Sequence, residues 1–156
     1  MLNLKHERAT EPEAQAFRLF FAGVTMWRFY NPNPNGKRVG DCTIRAITKA
    51  TGKEWAEVYA AVSVFGYAAA DMPSANHVWG AYLKRQGYRR YLVDDHGQDI
   101  YTVADFCRDN PRGTYLLAIS GHVVCAVDGD YYDTWDSGDE IPEYYWIKEG
   151  GITNVR

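Results

Sequence analysis

"ISGHVVCAVDGDYYDTWDSG", residues Ile119–Gly138, decides how this chain is read. "HVVCAV" and "DYYDTW" are rich in β-branched and aromatic residues, which suits strands. Between them stands Asp128-Gly129, the strongest short-range hairpin signal. A two-residue turn there pairs Val127 with Asp130 and Val124 with Asp133, and sets His122 opposite Trp135. Asp133 then shares a face with His122, one diagonal step away, and diagonal neighbours lie roughly 7–8 Å apart. A three-residue loop, Asp128 to Asp130, would slip the register by one. Asp136 would then fall opposite His122 and Asp133 would point away. Asp-Gly favours the shorter turn, so Asp133 is the expected partner. A carboxylate beside an imidazole fixes its tautomer and stabilises the imidazolium. Trp135 is placed to shield that contact from water.

Outward from the hairpin, "GTYLLAI" before it and "EYYWIK" after it read as further strands separated by Gly, Asp and Ser turns. Upstream the period becomes helical. "CTIRAITKATG" carries an apolar stripe at Ala46, Ile47 and Ala50, with Gly52 as a stop. "TGKEWAEVYAAV" follows, with Thr51 and Glu54 as a capping box and Trp55, Val58, Tyr59 and Val62 as its buried face. A third helix covers about Asn76 to Gln86, and "YRRYLVD" is a strand. Thr102 to Asp109 is a short capped helix ended by Asn110-Pro111. "TMWRFYNPNPNGKRVG" reads as an extended, turning loop, because its Asn-Pro and Asn-Gly steps forbid a helix. Thr10 to Ala22 reads as a separate helix, so residues 1–25 form a helical extension to a domain spanning 26–156. Helices first and an antiparallel sheet last make the fold class α+β.

Composition bounds the function. At 156 residues the chain is one domain, able to bury a core without disulfides. Net charge is −3, and Lys and Arg are scattered, which argues against a nucleic-acid partner. No apolar run approaches the roughly 20 residues of a bilayer span. "MLNLKHERATEPEAQAF" lacks the apolar core and cleavage site of a signal peptide. With three cysteines, an odd number, a reduced cytoplasmic setting is expected.

Cys42 follows a glycine-containing loop and opens a helix. A helix N-terminus presents free N–H groups and partial positive charge, which favour the reactive thiolate. The same amides can hold an oxyanion forming on a substrate carbonyl. A lone cysteine at a helix start is more often a small buried hydrophobe, and a lone histidine at a sheet edge is more often structural. Cysteine, then histidine 80 residues on, then an acid one hairpin later is a more specific pattern.

"GDCTIRAI" followed by "GHVVCAVDGDYYDTWDSG" resembles the papain-like cysteine peptidase superfamily. Asp133-Thr134-Trp135 is similar to the Asn-Ser-Trp that closes the papain site, with Asp replacing Asn. The His-hairpin-Asp order also resembles the bacteriocin-processing peptidases of ABC exporters. "NPNPNGKRVGDCTIRAITKATGKEW", "ADMPSANHVWGAYL", "TVADFCRDNP" and "YYDTWDSGDEIPEYYWIKE" resemble a family of small uncharacterised proteins from phages, prophages and gut Firmicutes, from about Met26 to Glu149. The resemblance implies a papain-like fold and a thiol hydrolase without a cofactor, acting on a peptide or isopeptide bond, and is compatible with a phage-encoded origin. It assigns Cys42 as nucleophile, His122 as base and Asp133 as orienting acid. Papain-like enzymes place a glutamine amide before the cysteine to help form the oxyanion hole. Gly36 occupies that place here, so Asn35 or Asn33 is the expected substitute donor.

Two further readings share these residues. "DC" at a helix start and "GHV" at a strand start also resemble NlpC-type cell-wall peptidases. A papain-like frame could instead serve as a non-catalytic binding or inhibitory module. No metal is expected: Cys107, His122 and Cys125 lack paired spacing, and Asp133, Asp136, Asp139 and Glu140 do not follow a calcium loop.

Overall fold

The computed structural model describes residues 25–94 and 100–150; the expected helix at Thr10 to Ala22 lies outside them. Among the described residues the chain is mixed α+β, with four helices and one six-stranded sheet. The order is β1 (Trp27–Phe29), α1 (Cys42–Thr51), α2 (Trp55–Ala69), α3 (Asn76–Arg85), β2 (Tyr88–Leu92), α4 (Val103–Asp109), β3 (Thr114–Ile119), β4 (His122–Val127), β5 (Asp130–Asp133) and β6 (Pro142–Lys148). Across the sheet the strands run β1-β5-β4-β3-β6-β2.

Both faces of this sheet are covered. Leu116, Ala118, Val123, Cys125, Tyr144 and Trp146 pack beneath α1, α2 and α3. Their strand neighbours Leu117, Ile119, Val124, Ala126 and Ile147 pack against Val103, Phe106 and Cys107 of α4 on the other face. Successive strand residues point to opposite faces. A strand buried on both sides therefore reads as a continuous apolar run, which is why "TYLLAI" does not alternate. Tyr144 and Trp146 of "EYYW" are core residues rather than an exposed surface.

The hairpin turn is two residues long. Asp128 (φ 50°) and Gly129 (φ 86°) are both left-handed, as a type I′ turn requires, and Val127 faces Asp130. The paired ladder ends at Cys125 and Tyr132, and β5 ends at Asp133. Trp135 is thus not strand-paired with His122, as the sequence suggested.

Three expectations need correction. The sheet is not purely antiparallel: Trp27–Phe29, expected as loop, pairs parallel with β5, Phe29 beside Asp133. Three residues are too few to show a period, and their partner lies over a hundred residues on. The Thr51–Glu54 capping box does not form. Thr51 is the last residue of α1, its hydroxyl donating to the Ile47 carbonyl, and Glu54 caps α2 with no side-chain bond. Tyr59 is not on the buried face; it is exposed and stacks on Trp55, centroids 4.9 Å apart. The expected box at Thr102 does form: Asp105 N–H donates to the Thr102 hydroxyl, and Thr102 N–H donates to the Asp105 carboxylate.

Candidate active site

Two long-range pairings bring three chain segments to one end of the sheet. α1 packs over β4, its Ile44 and Ile47 in the same cluster as Val123 and Cys125. Cys42 is the first residue of α1 and His122 the first of β4. Asp133 closes β5, returned by the Asp128-Gly129 turn.

His122 Nε2 donates to Asp133 Oδ2 at 2.5 Å. The imidazole and the Cys42 thiol also act on each other's titration through a hydrogen-bonding and a charge interaction. Burial alone would lower the His122 pKa, and it is the largest single influence. The bonds and charges of Asp133 and Cys42 together outweigh it and push the imidazole up to about 9. Burial likewise opposes ionisation of Cys42. The His122 hydrogen bond and charge, with smaller help from the Val123 N–H and the Thr43 hydroxyl, bring the thiol below its ordinary value. Both shifts favour thiolate beside imidazolium.

Asp133 is fully buried, and burial is the largest influence on its carboxyl, raising it. It stays below the usual carboxylate range because donors surround it. Besides His122, Thr134 N–H donates to Oδ1 at 2.7 Å and Arg45 Nη2 at 3.0 Å. Its main-chain carbonyl accepts from Tyr30 N–H and Trp27 Nε1.

Arg45 and Asp41 were not anticipated from the sequence. The Arg45 guanidinium is almost completely buried and forks between two carboxylates, Asp133 and Asp41, the latter at 2.6 Å. Asp41 Oδ2 also accepts from Trp55 Nε1 at 2.9 Å. Asp41 sits at the N-cap of α1, yet its side chain makes no cap bond because both oxygens are engaged elsewhere. The first-turn amides of α1 therefore have no capping carboxylate. A signal was present: Asp41, Cys42 and Arg45 share one helix face by their four- and three-residue spacing.

Trp135 lies against His122, ring centroids 5.3 Å apart at 47°, and is 42% exposed. It contacts the imidazole from beyond the strand end. Asp136 is turned elsewhere, accepting from the Tyr131 hydroxyl and from Gly138 N–H. Asn33 and Asn35, the expected oxyanion donors, lie in the turning loop that precedes α1. Asn33 Oδ1 accepts from the backbone of Asn35 and Lys37, Asn35 is exposed, and among the described residues no hydrogen bond joins either side chain to Cys42 or His122. The same polar character that makes asparagine a donor makes it a turn former, and the Asn33 carbonyl oxygen serves the turn.

No family model, curated protein or solved structure matches this chain.

The other thiols differ in kind from Cys42. Cys107 and Cys125 are buried in the two core clusters, and burial pushes the Cys107 thiol up to about 12 and raises Cys125 further. No group of three or more His, Cys, Asp or Glu among the described residues is arranged to hold a metal ion, and no described helix is long and apolar enough to cross a membrane. A groove of about 410 Å³ between α3 and β6, walled by Lys84, Arg90, Tyr144 and Trp146, contains none of the three site residues.

Proposed function

We propose that the chain is a papain-like cysteine hydrolase acting on a peptide or isopeptide bond. Cys42 is the nucleophile, His122 the base and later the acid, and Asp133 the group that orients the imidazole. The observation that carries this reading is the convergence of the three side chains, with the thiol pKa lowered and the imidazole raised to about 9. In the ion-paired state the thiolate attacks the carbonyl carbon and negative charge moves to the carbonyl oxygen. The amides at the start of α1, which carry no side-chain cap, are the donors this reading assigns to that oxygen. The imidazolium then protonates the leaving amine, and the neutral imidazole takes a proton from the water that hydrolyses the thioester.

A second reading, a binding module on the same frame, draws support from Asn33 and Asn35 being built into their own loop. One experiment separates the two. Iodoacetamide labelling at neutral pH should modify Cys42 much faster than free cysteine, and a broad peptide panel should yield cleavage that Cys42→Ser abolishes. Fast labelling with no cleavage of any peptide would favour the binding module. Labelling no faster than free cysteine would remove the catalytic reading.

A further inference from the structure

We propose that Arg45 is a positioning residue that sets the pH window in which Cys42 is reactive; the inference rests on the cysteine hydrolase reading above. Arg45 touches neither the thiol nor the imidazole in any hydrogen bond found among the described residues. Its Nη1 donates to Asp41 and its Nη2 to Asp133. What it does to the chemistry passes through those two carboxylates.

The first path runs through Asp133. One oxygen of this carboxylate faces His122, and the other is held by Arg45 and by Thr134 N–H. A buried carboxylate that keeps only one of its two cations, His122, takes up a proton more readily than one that keeps both. Protonated, it would lose the charge that holds His122 as imidazolium, and the thiolate would lose its counter-ion. The second path runs through Asp41, the residue before Cys42. An N-cap aspartate normally accepts from the second or third amide of its helix. Here Arg45 and Trp55 take both oxygens, so the α1 amides stay open. One buried guanidinium thus adds to His122 and Thr134 N–H in keeping one carboxylate charged, and holds the other out of the way. A solvated i,i+4 pair could do neither, because exposed pairs are weak and mobile.

The groups facing Arg45 are Asp41 on its own helix side, Asp133 from β5 and, beyond Asp133, His122 from β4. Removing the guanidinium charge takes away a cation that favours both Asp133 carboxylate and thiolate. The acid limb of Cys42 reactivity should therefore move to higher pH, by about one unit.

The test is the iodoacetamide rate at Cys42 against pH, for the full chain and for Arg45→Met, Arg45→Lys and the double variant Asp41→Asn with Arg45→Met. The double variant removes the carboxylate that the single variant would strand, and it is read if Arg45→Met does not melt cooperatively. Expected is an upward move of the acid limb in the Met variants, with at least about half of that shift recovered in Arg45→Lys, which keeps the charge but not the fork. A limb unchanged in a folded Met variant, while the parent thiol is fast, would overturn the role of Arg45 and leave the hydrolase reading standing. A parent thiol no faster than free cysteine would overturn both.

Discussion

At the scale of single residues, Asp133 and Asp136 stand three positions apart and do different work. Asp133 collects His122, Arg45 and Thr134; Asp136 collects the Tyr131 hydroxyl and Gly138 N–H. Asp133→Ala should slow Cys42 alkylation at pH 6 on the order of ten-fold, since one pKa unit is a factor of ten in thiolate. Asp136→Ala should leave the rate alone and cost about 1 kcal/mol of stability through the lost Tyr131 bond. Alkylation rates paired with urea melts check both, and a slow Asp136→Ala beside a fast Asp133→Ala would reverse the assignment. A second prediction follows from linkage. His122 titrates higher folded than unfolded, from 6.5 to about 9, so its stabilisation is full below 6.5 and is lost as pH rises through 9. Cys42 is lowered from 9.0, so its stabilisation is full above 9.0 and is lost as pH falls through its folded value. Where the two windows overlap, folding passes a proton from thiol to imidazole and the slopes oppose. Cys42→Ser leaves only the descending slope, now supported by Asp133 alone. Its unfolding free energy should fall more steeply between pH 6.5 and 9 than that of the parent chain. Parallel curves would mean that no proton is exchanged.

At the scale of elements, the β4–β5 hairpin carries the site, and its turn is the most exacting piece of local chemistry. Gly129 holds a left-handed φ of 86° with Pro111 Cα 3.4 Å from where a Cβ would stand. Gly129→Ala should cost about 1–2 kcal/mol, the left-handed penalty for a residue with a Cβ. It should also slow Cys42 labelling if the register loosens; an unchanged melting midpoint would refute the turn assignment. This hairpin was legible in the sequence because Asp-Gly between two strand-like runs is local information. So were the Thr102–Asp105 box and the faces of α3, where Val78, Trp79, Tyr82 and Leu83 are all buried as their spacing implied. β1 was not legible, since a three-residue parallel edge strand is defined by its partner. Nor was the Arg45 bridge. Spacing shows that Asp41, Cys42 and Arg45 share a helix face, but whether that face meets water or a buried aspartate is decided by β5, 88 residues away from Arg45.

At the scale of the whole molecule, the candidate site forms only when α1 is docked on the β4–β5 hairpin, because α1, β4 and β5 each contribute one member. The buried charges tie these parts together. Truncating Arg45 to Met would leave buried Asp41 with no cation and Asp133 with His122 alone, a change of a kind that costs about 3–5 kcal/mol. Denaturant melts should show that loss, and they should show less of it when Asp41→Asn is added. The three cysteines also divide by what structure does to them. Folding lowers the pKa of the Cys42 thiol and raises those of Cys107 and Cys125, so on the proposed reading Cys42 gains reactivity and the other two lose it. Unfolding must therefore move their labelling rates in opposite directions, with Cys42 slowing toward an ordinary thiol while the other two emerge. A brief pulse of iodoacetamide during refolding, followed by peptide mass analysis, would time core closure from two thiols and site assembly from the third in the same tube. A lag between the two clocks would show that the core can close before the hairpin delivers Asp133.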